Sequence, residues 1–211
     1  MSGSQFTEEV KLPLYDTTAP FANQEMRSVT LWCATGGAPR HWRTAYKFTS
    51  LLRFDEQGTG TNLVRVTQAA IKVDTWEGVS LDIFQPQYHT FDQSGNNLYA
   101  TLTAAPRLAG RLTSTKLGLS KKVEFVTHVT VQDLRDLLFE RGLQYYKFNP
   151  AGSGCLYWQL NLLELFATKG WIATEKLQEV KDHVREYAIQ QGSRGVPYPP
   201  VQGEFYDPST L

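Results

Sequence analysis

The chain has very little cysteine, no net charge, no long apolar run and no internal repeat, and each absence removes a class of protein. Two cysteines in 211 residues cannot build a disulfide framework. A reducing, cytoplasmic setting with free thiols is therefore expected, and Cys33–Cys155 is the one bridge the count allows. The 21 basic and 21 acidic residues cancel. No basic field is left to hold a phosphate backbone, so no nucleic acid is expected as a partner. No segment approaches the roughly 18 consecutive apolar residues of a membrane span. The opening MSGSQFTEEVKLPLYD lacks an apolar stretch, so no secretory signal is expected. No cysteine and histidine share zinc-ligand spacing, so neither metal nor cofactor is expected. Nothing in the pattern addresses the oligomeric state.

What is present is an ordinary globular composition, 41% apolar and 12% aromatic. Residues 1–24 are polar, carry Pro13 and Pro20, and read as an irregular arm. Residues 25–191 read as a single domain, and 192–211 as a proline-rich tail with Pro197, Pro199, Pro200 and Pro208. Alternating, β-rich segments predict strands over 27–35, 42–54, 62–67, 79–84, 98–103 and 123–129. Ser94-Gly-Asn-Asn97 reads as a hairpin turn. Residues 104–120 read as less regular and basic. The order then changes to helices. Thr130 is a good N-cap for 131–141, which Gly142 ends. Apolar helices follow over 155–168 and from 174 to about 190. Strands first and helices last predict an α+β fold, an antiparallel sheet packed against the C-terminal helices. The 155–168 helix is apolar nearly all round and must cover that sheet.

Chemistry concentrates at Gly152-Ser-Gly-Cys-Leu-Tyr-Trp158. Glycines ahead of a helix allow a sharp turn, and Cys155 then stands where unpaired N–H groups and the positive end of the helix dipole meet. Such a position favours a thiolate and supplies donors for an oxyanion. The plain alternative is a small cysteine packed under the sheet. His41 is the candidate base: it opens a strand, so its ring leaves the sheet's end while Trp42 points the other way. His128, alternating with Val126 and Thr130, is the runner-up; His89 and His183 read as solvated. Asp82, opposite in phase to Leu81 and Ile83, is the candidate to orient the imidazole, or else belongs to a solvated face. Trp42, Tyr157 and Trp158 are candidates to line a substrate pocket, or else core.

The run from Val131 to Trp158 reads helix, then Tyr-x-Phe, then GSGCLYW at a helix start. With His41-Trp42 entering a strand upstream, it resembles an uncharacterised fungal domain family of about this length, common near secondary-metabolite genes. It is also similar to the circularly permuted papain-like superfamily, the NlpC, PPPDE and lecithin retinol acyltransferase groups, in which the histidine strand precedes the cysteine helix. The resemblance spans about 27–190 and implies a permuted papain-like fold with Cys155 as nucleophile and His41 as base. Two features depart from it. Leu156 stands where the fungal family has a basic residue, and the segment from Gln85 to Lys121 is longer.

The expected function is a cysteine-dependent hydrolase, acyltransferase or cyclase acting on a small-molecule amide, ester or thioester in fungal secondary-metabolite biosynthesis. The alternatives are a non-covalent cyclase or isomerase in the same pocket, and a non-enzymatic binding module on a papain-like scaffold.

Overall fold

The structure is a computed structural model. It describes residues 14, 18–35, 40–54, 60–63, 75–84, 98–192 and 196–210. Six strands form an antiparallel sheet: β1 (Met26–Ala34), β2 (Trp42–Phe54), β3 (Gly60–Leu63), β4 (Thr75–Phe84), β5 (Thr101–Leu108) and β6 (Leu117–Glu124). The order is β5-β4-β2-β1-β6, with β3 pairing the far half of β2. Three helices follow β6: α1 (Val131–Glu140), α2 (Cys155–Thr168) and α3 (Thr174–Gln191). A two-residue pair, β7 (Tyr146–Lys147) with β8 (Glu204–Phe205), lies outside the sheet. The expected α+β architecture, an antiparallel sheet with helices from the C-terminal part of the chain, is what the structure has. Among the described residues no helix is long and apolar enough to cross a membrane.

The helix signals translate directly. Thr130 accepts from the Asp133 N–H while the Asp133 carboxylate accepts from the Thr130 N–H, a reciprocal cap. Gly142 follows with φ +63°, the left-handed turn that ends a helix and suits glycine. The helix α2 starts and stops where its apolar run does. Leu156, Trp158, Leu160, Leu162, Leu163 and Phe166 are all buried, so it is wedged between the sheet on one side and α3 and the segment after α1 on the others.

Alternation in β2 decides what faces that helix. Thr44 donates to the Gln159 side chain at 3.0 Å, Tyr46 packs edge-on to Phe166, and Trp42 packs edge-on to Tyr187 of α3. The even residues of β2 thus face the helices, and Arg43 and Ala45 face away. Gln159 is fully buried and also reaches the Trp42 carbonyl, at 3.5 Å. One turn after Cys155 on the same helix face, it pins the start of α2 to the start of β2.

Several expectations fail in detail. Residues 104–120 are more regular than expected: β5 continues to Leu108 and β6 begins at Leu117, with only 109–116 between them outside a strand. β5 is an edge strand, so Pro106 needs no partner for its missing N–H. Lys121 and Lys122 belong to the other edge, β6, where charge is ordinary. His128 lies beyond β6, its side chain 68% exposed beside Glu25. The first segment is not merely an arm, because Leu14 and Phe21 are buried and Phe21 stacks on Phe48. The tail is not wholly irregular, because Phe205 pairs with Tyr146 through β8. Residues 64–67 and the 94–97 turn lie outside the described residues.

Candidate active site

Cys155 is the first residue of α2, and the loop before it is built to place it there. Asn149 accepts the Ser153 N–H on its side chain at 2.7 Å, and its own N–H donates to the Ser153 carbonyl at 3.0 Å. The Tyr146 hydroxyl donates to the Gly154 carbonyl at 2.9 Å. Gly154 has φ +142°, and a Cβ there would fall 2.5 Å from that hydroxyl, so only glycine fits without displacement. Gly154 is the N-cap and no side chain caps the helix. The N–H groups of the first turn therefore remain as donors at the positive end of the helix dipole.

The register of the sheet brings the partners. Thr44 stands opposite Leu81, which puts Arg43 opposite Asp82 on the face away from the helices. His41, two residues before Arg43, leaves that same face at the sheet's end. Its Nε2 is hydrogen-bonded to Oδ1 of Asp82, and Arg43 donates from Nε to Oδ2 at 2.6 Å. The carboxylate thus holds one imidazole nitrogen, and Nδ1 is the one left for another partner. The Cys155 thiol donates to the Arg40 carbonyl at 3.8 Å, beside His41. Arg40, His41, Phe84, Phe148, Gly152, Ser153 and Cys155 line a single cleft of about 180 Å³.

The electrostatics follow from these contacts. Burial opposes a charged His41, but hydrogen bonds to Asp82 and to the Cys155 thiol, reinforced by the charges of both, outweigh it and raise His41 to about 9. Burial likewise opposes the Asp82 carboxylate, yet His41 and Arg43 hold it below its ordinary value. At neutral pH the pair is an imidazolium against a carboxylate, and the charged ring stands at the thiol.

The structure brings Cys155, His41 and Asp82 to one place. It does not bring the aromatic candidates. Trp42 is 2% exposed and Trp158 fully buried, with its indole N–H donating to the Leu143 carbonyl at 2.8 Å; both are core. Tyr157 points toward Phe205, ring centroids 6.5 Å apart, and is not among the cleft's lining residues. Phe84 and Phe148 supply the aromatic wall instead. His128 is not at the cleft. Both cysteines are free, and Cys33 is wholly buried. Among the described residues no group of three or more His, Cys, Asp and Glu gathers as a metal site.

Sequence reasoning missed Arg43, Asn149 and Gln159. Arg43 shares the alternation phase of His41. Asn149 precedes Pro150, a turn-opening pair. Gln159 is a polar residue in an otherwise apolar stretch of helix, one turn from the cysteine.

The family model for a domain of unknown function, DUF7770, matches residues 74–206. The chain belongs to that family. The matched segment contains Asp82 and Cys155, whereas His41 precedes it. No curated protein and no solved structure matches the chain.

Proposed function

We propose that the protein is a cysteine-dependent acyl-transfer enzyme acting on a small amide, ester or thioester, with the permuted papain-like arrangement that its sequence resembles. The observation that carries this reading is His41, tied through Nε2 to Asp82, standing at the thiol of Cys155 on an uncapped helix start. A nucleophile, a base, an orienting carboxylate and oxyanion donors meet in one cleft.

The Cys155 proton resides on His41 as a thiolate–imidazolium pair, and the thiolate attacks the substrate carbonyl carbon. The negative charge that develops on the carbonyl oxygen is received by N–H groups of the first turn of α2. Collapse of this adduct breaks the carbonyl's bond to nitrogen, oxygen or sulfur, and the imidazolium returns its proton to the leaving group. Water, or a second amine, alcohol or thiol, then attacks the thioester and frees Cys155. Asp82 keeps the imidazolium oriented, and Arg43 keeps Asp82 in place. Free thiols suit a reducing, cytoplasmic compartment. A biosynthetic role in fungal secondary metabolism accords with the resemblance in sequence.

The test is to trap the intermediate. Incubated with a panel of p-nitrophenyl esters of short acids, the protein should gain one acyl group, located on Cys155 by peptide mass spectrometry. His41→Ala should slow acylation by about 100-fold or more, the scale of a lost general base. An adduct on another residue, or none with any ester while the protein is folded, overturns the reading.

A further inference from the structure

The C-terminal tail closes on β7, where the loop before Cys155 begins. The strand β8 pairs with β7 there, and the Tyr206 N–H donates to the Tyr145 carbonyl at 3.2 Å. Phe205 lies tilted against Tyr146, and Tyr206 lies edge-on to Tyr99, both at 5.0 Å between ring centroids. Glu204 and Phe205 are themselves exposed, so the contact is not built around burying the side chains of β8. Its centre is the hydroxyl of Tyr146, a residue with no exposed surface. A Cβ at Gly203 would fall 2.3 Å from that oxygen and 2.4 Å from the Lys147 carbonyl. Gly203 approaches the hydroxyl from one side as Gly154 does from the other, and neither position has room for a side chain.

The hydroxyl makes two hydrogen bonds, and their direction is forced. The Gly203 N–H can only donate, and it donates to the Tyr146 oxygen at 2.9 Å. The single tyrosine proton is thereby turned the other way, onto the Gly154 carbonyl, also at 2.9 Å. That carbonyl accepts a second bond from the Trp158 N–H at 3.0 Å, which is the first bond of α2. Both of its lone pairs are then in use.

The consequence lies at the other end of the same peptide group. The Gly154 carbonyl and the Cys155 N–H belong to one planar trans unit and point in opposite directions. Whatever fixes the carbonyl therefore fixes the N–H. Glycine at φ +142° leaves this plane free to turn, because no Cβ restrains it, so the orientation has to come from the hydrogen bonds on the carbonyl. Those bonds also polarise the peptide group and strengthen its N–H as a donor. As the first residue of α2, Cys155 has no intrahelical acceptor for that N–H.

We propose that Tyr146 is a positioning residue for the Cys155 N–H, and that the C-terminal segment carrying Gly203 belongs to the active site through it. The chain of bonds runs from the Gly203 N–H to the Tyr146 hydroxyl, to the Gly154 carbonyl and, across the peptide plane, to the Cys155 N–H. When the thiolate adds to a substrate carbonyl, charge gathers on the carbonyl oxygen, and an N–H already held in direction receives it without first having to turn. The inference rests on the thiol reading for that last step, but not for the positioning itself.

The test compares two reactions of one thiol in the full-length protein. Acylation by p-nitrophenyl esters of short acids builds charge on a carbonyl oxygen and calls on the N–H. Alkylation by iodoacetamide sends its charge out with iodide and does not. Both rates are read on Cys155 by peptide mass spectrometry, and the Cys155 amide resonance is followed in 15N-labelled protein. Tyr146→Phe, which keeps the buried ring, should lower the acylation rate about tenfold, the scale of one hydrogen bond, and leave alkylation as in the wild type. Gly203→Ala, which forces the tail off the hydroxyl, should act in the same direction. Both should shift the Cys155 amide resonance, and Cys33 spared from iodoacetamide in the same digests shows that each variant is folded. If one variant does not fold, the other decides. The positioning is overturned if the Cys155 amide stays where the wild type has it, if its shift leaves the acylation rate unchanged, or if acylation and alkylation fall together. A wild type that no p-nitrophenyl ester acylates, with the Cys155 amide still displaced in the variants, sinks the thiol chemistry and leaves the positioning standing.

Discussion

At the scale of single residues, the site depends on how His41 and Asp82 settle each other's charge. His41 is raised from its ordinary 6.5 to about 9, so its charged form favours the folded chain. That contribution is complete below pH 6.5 and is lost as pH climbs through about 9. Asp82 is shifted down from 3.8, so its contribution is present above that value and lost as pH falls through its lower folded value. The pair stabilises the fold most between the two ordinary values, 3.8 and 6.5. The melting temperature of wild type minus that of His41→Ala should therefore be largest near pH 6 and shrink steadily toward about pH 10. A difference that is flat over this range would show that His41 is not held charged by the fold.

At the scale of elements, α2 does two jobs, and both come from its composition. Its apolar surface is the centre of the core: Leu163 is 1% exposed and Leu160 7%. Replacing either by Ala should lower stability by about 2–5 kcal/mol, read as a shift in the denaturant midpoint; an unchanged midpoint would mean the helix is not packed as described. Its first residue is the candidate nucleophile. The helices were legible because their signals are local: a capping threonine, a glycine stop and an unbroken apolar run. Cys155 was legible for the same reason, and His41 and Asp82 because two-residue alternation ties a strand residue to a face. The edge strands were legible only in part, because residues 104–108 and 117–122 are mostly exposed or half-buried and lack a clear apolar alternation. Of the two readings open for Trp42 and Trp158, pocket or core, the structure has core, because an aromatic residue next to a reactive one in sequence points away from it in a strand, and about one turn along a helix it can face the core.

At the scale of the whole molecule, the sheet gathers residues from three distant parts of the chain. β2 carries His41 to its open end, β4 delivers Asp82 beside it, and Gln159 locks α2 so that its first residue meets His41. The fold separates an apolar face, where the helices sit, from a polar face continuous with the base and its carboxylate. Cys33 and Cys155 supply an internal comparison. Cys33 is sealed between β1 and α3, beside Tyr187, whereas Cys155 lines the cleft with His41. The most direct measurement of the central claim is therefore native-state alkylation by iodoacetamide, followed for each cysteine by peptide mass spectrometry. The site as described predicts that Cys155 is modified while Cys33 is spared, that His41→Ala slows only Cys155, and that both react once the chain is unfolded. Cys155 inert in the native protein yet reactive after unfolding would contradict it, and would make that thiol a packing residue of the core.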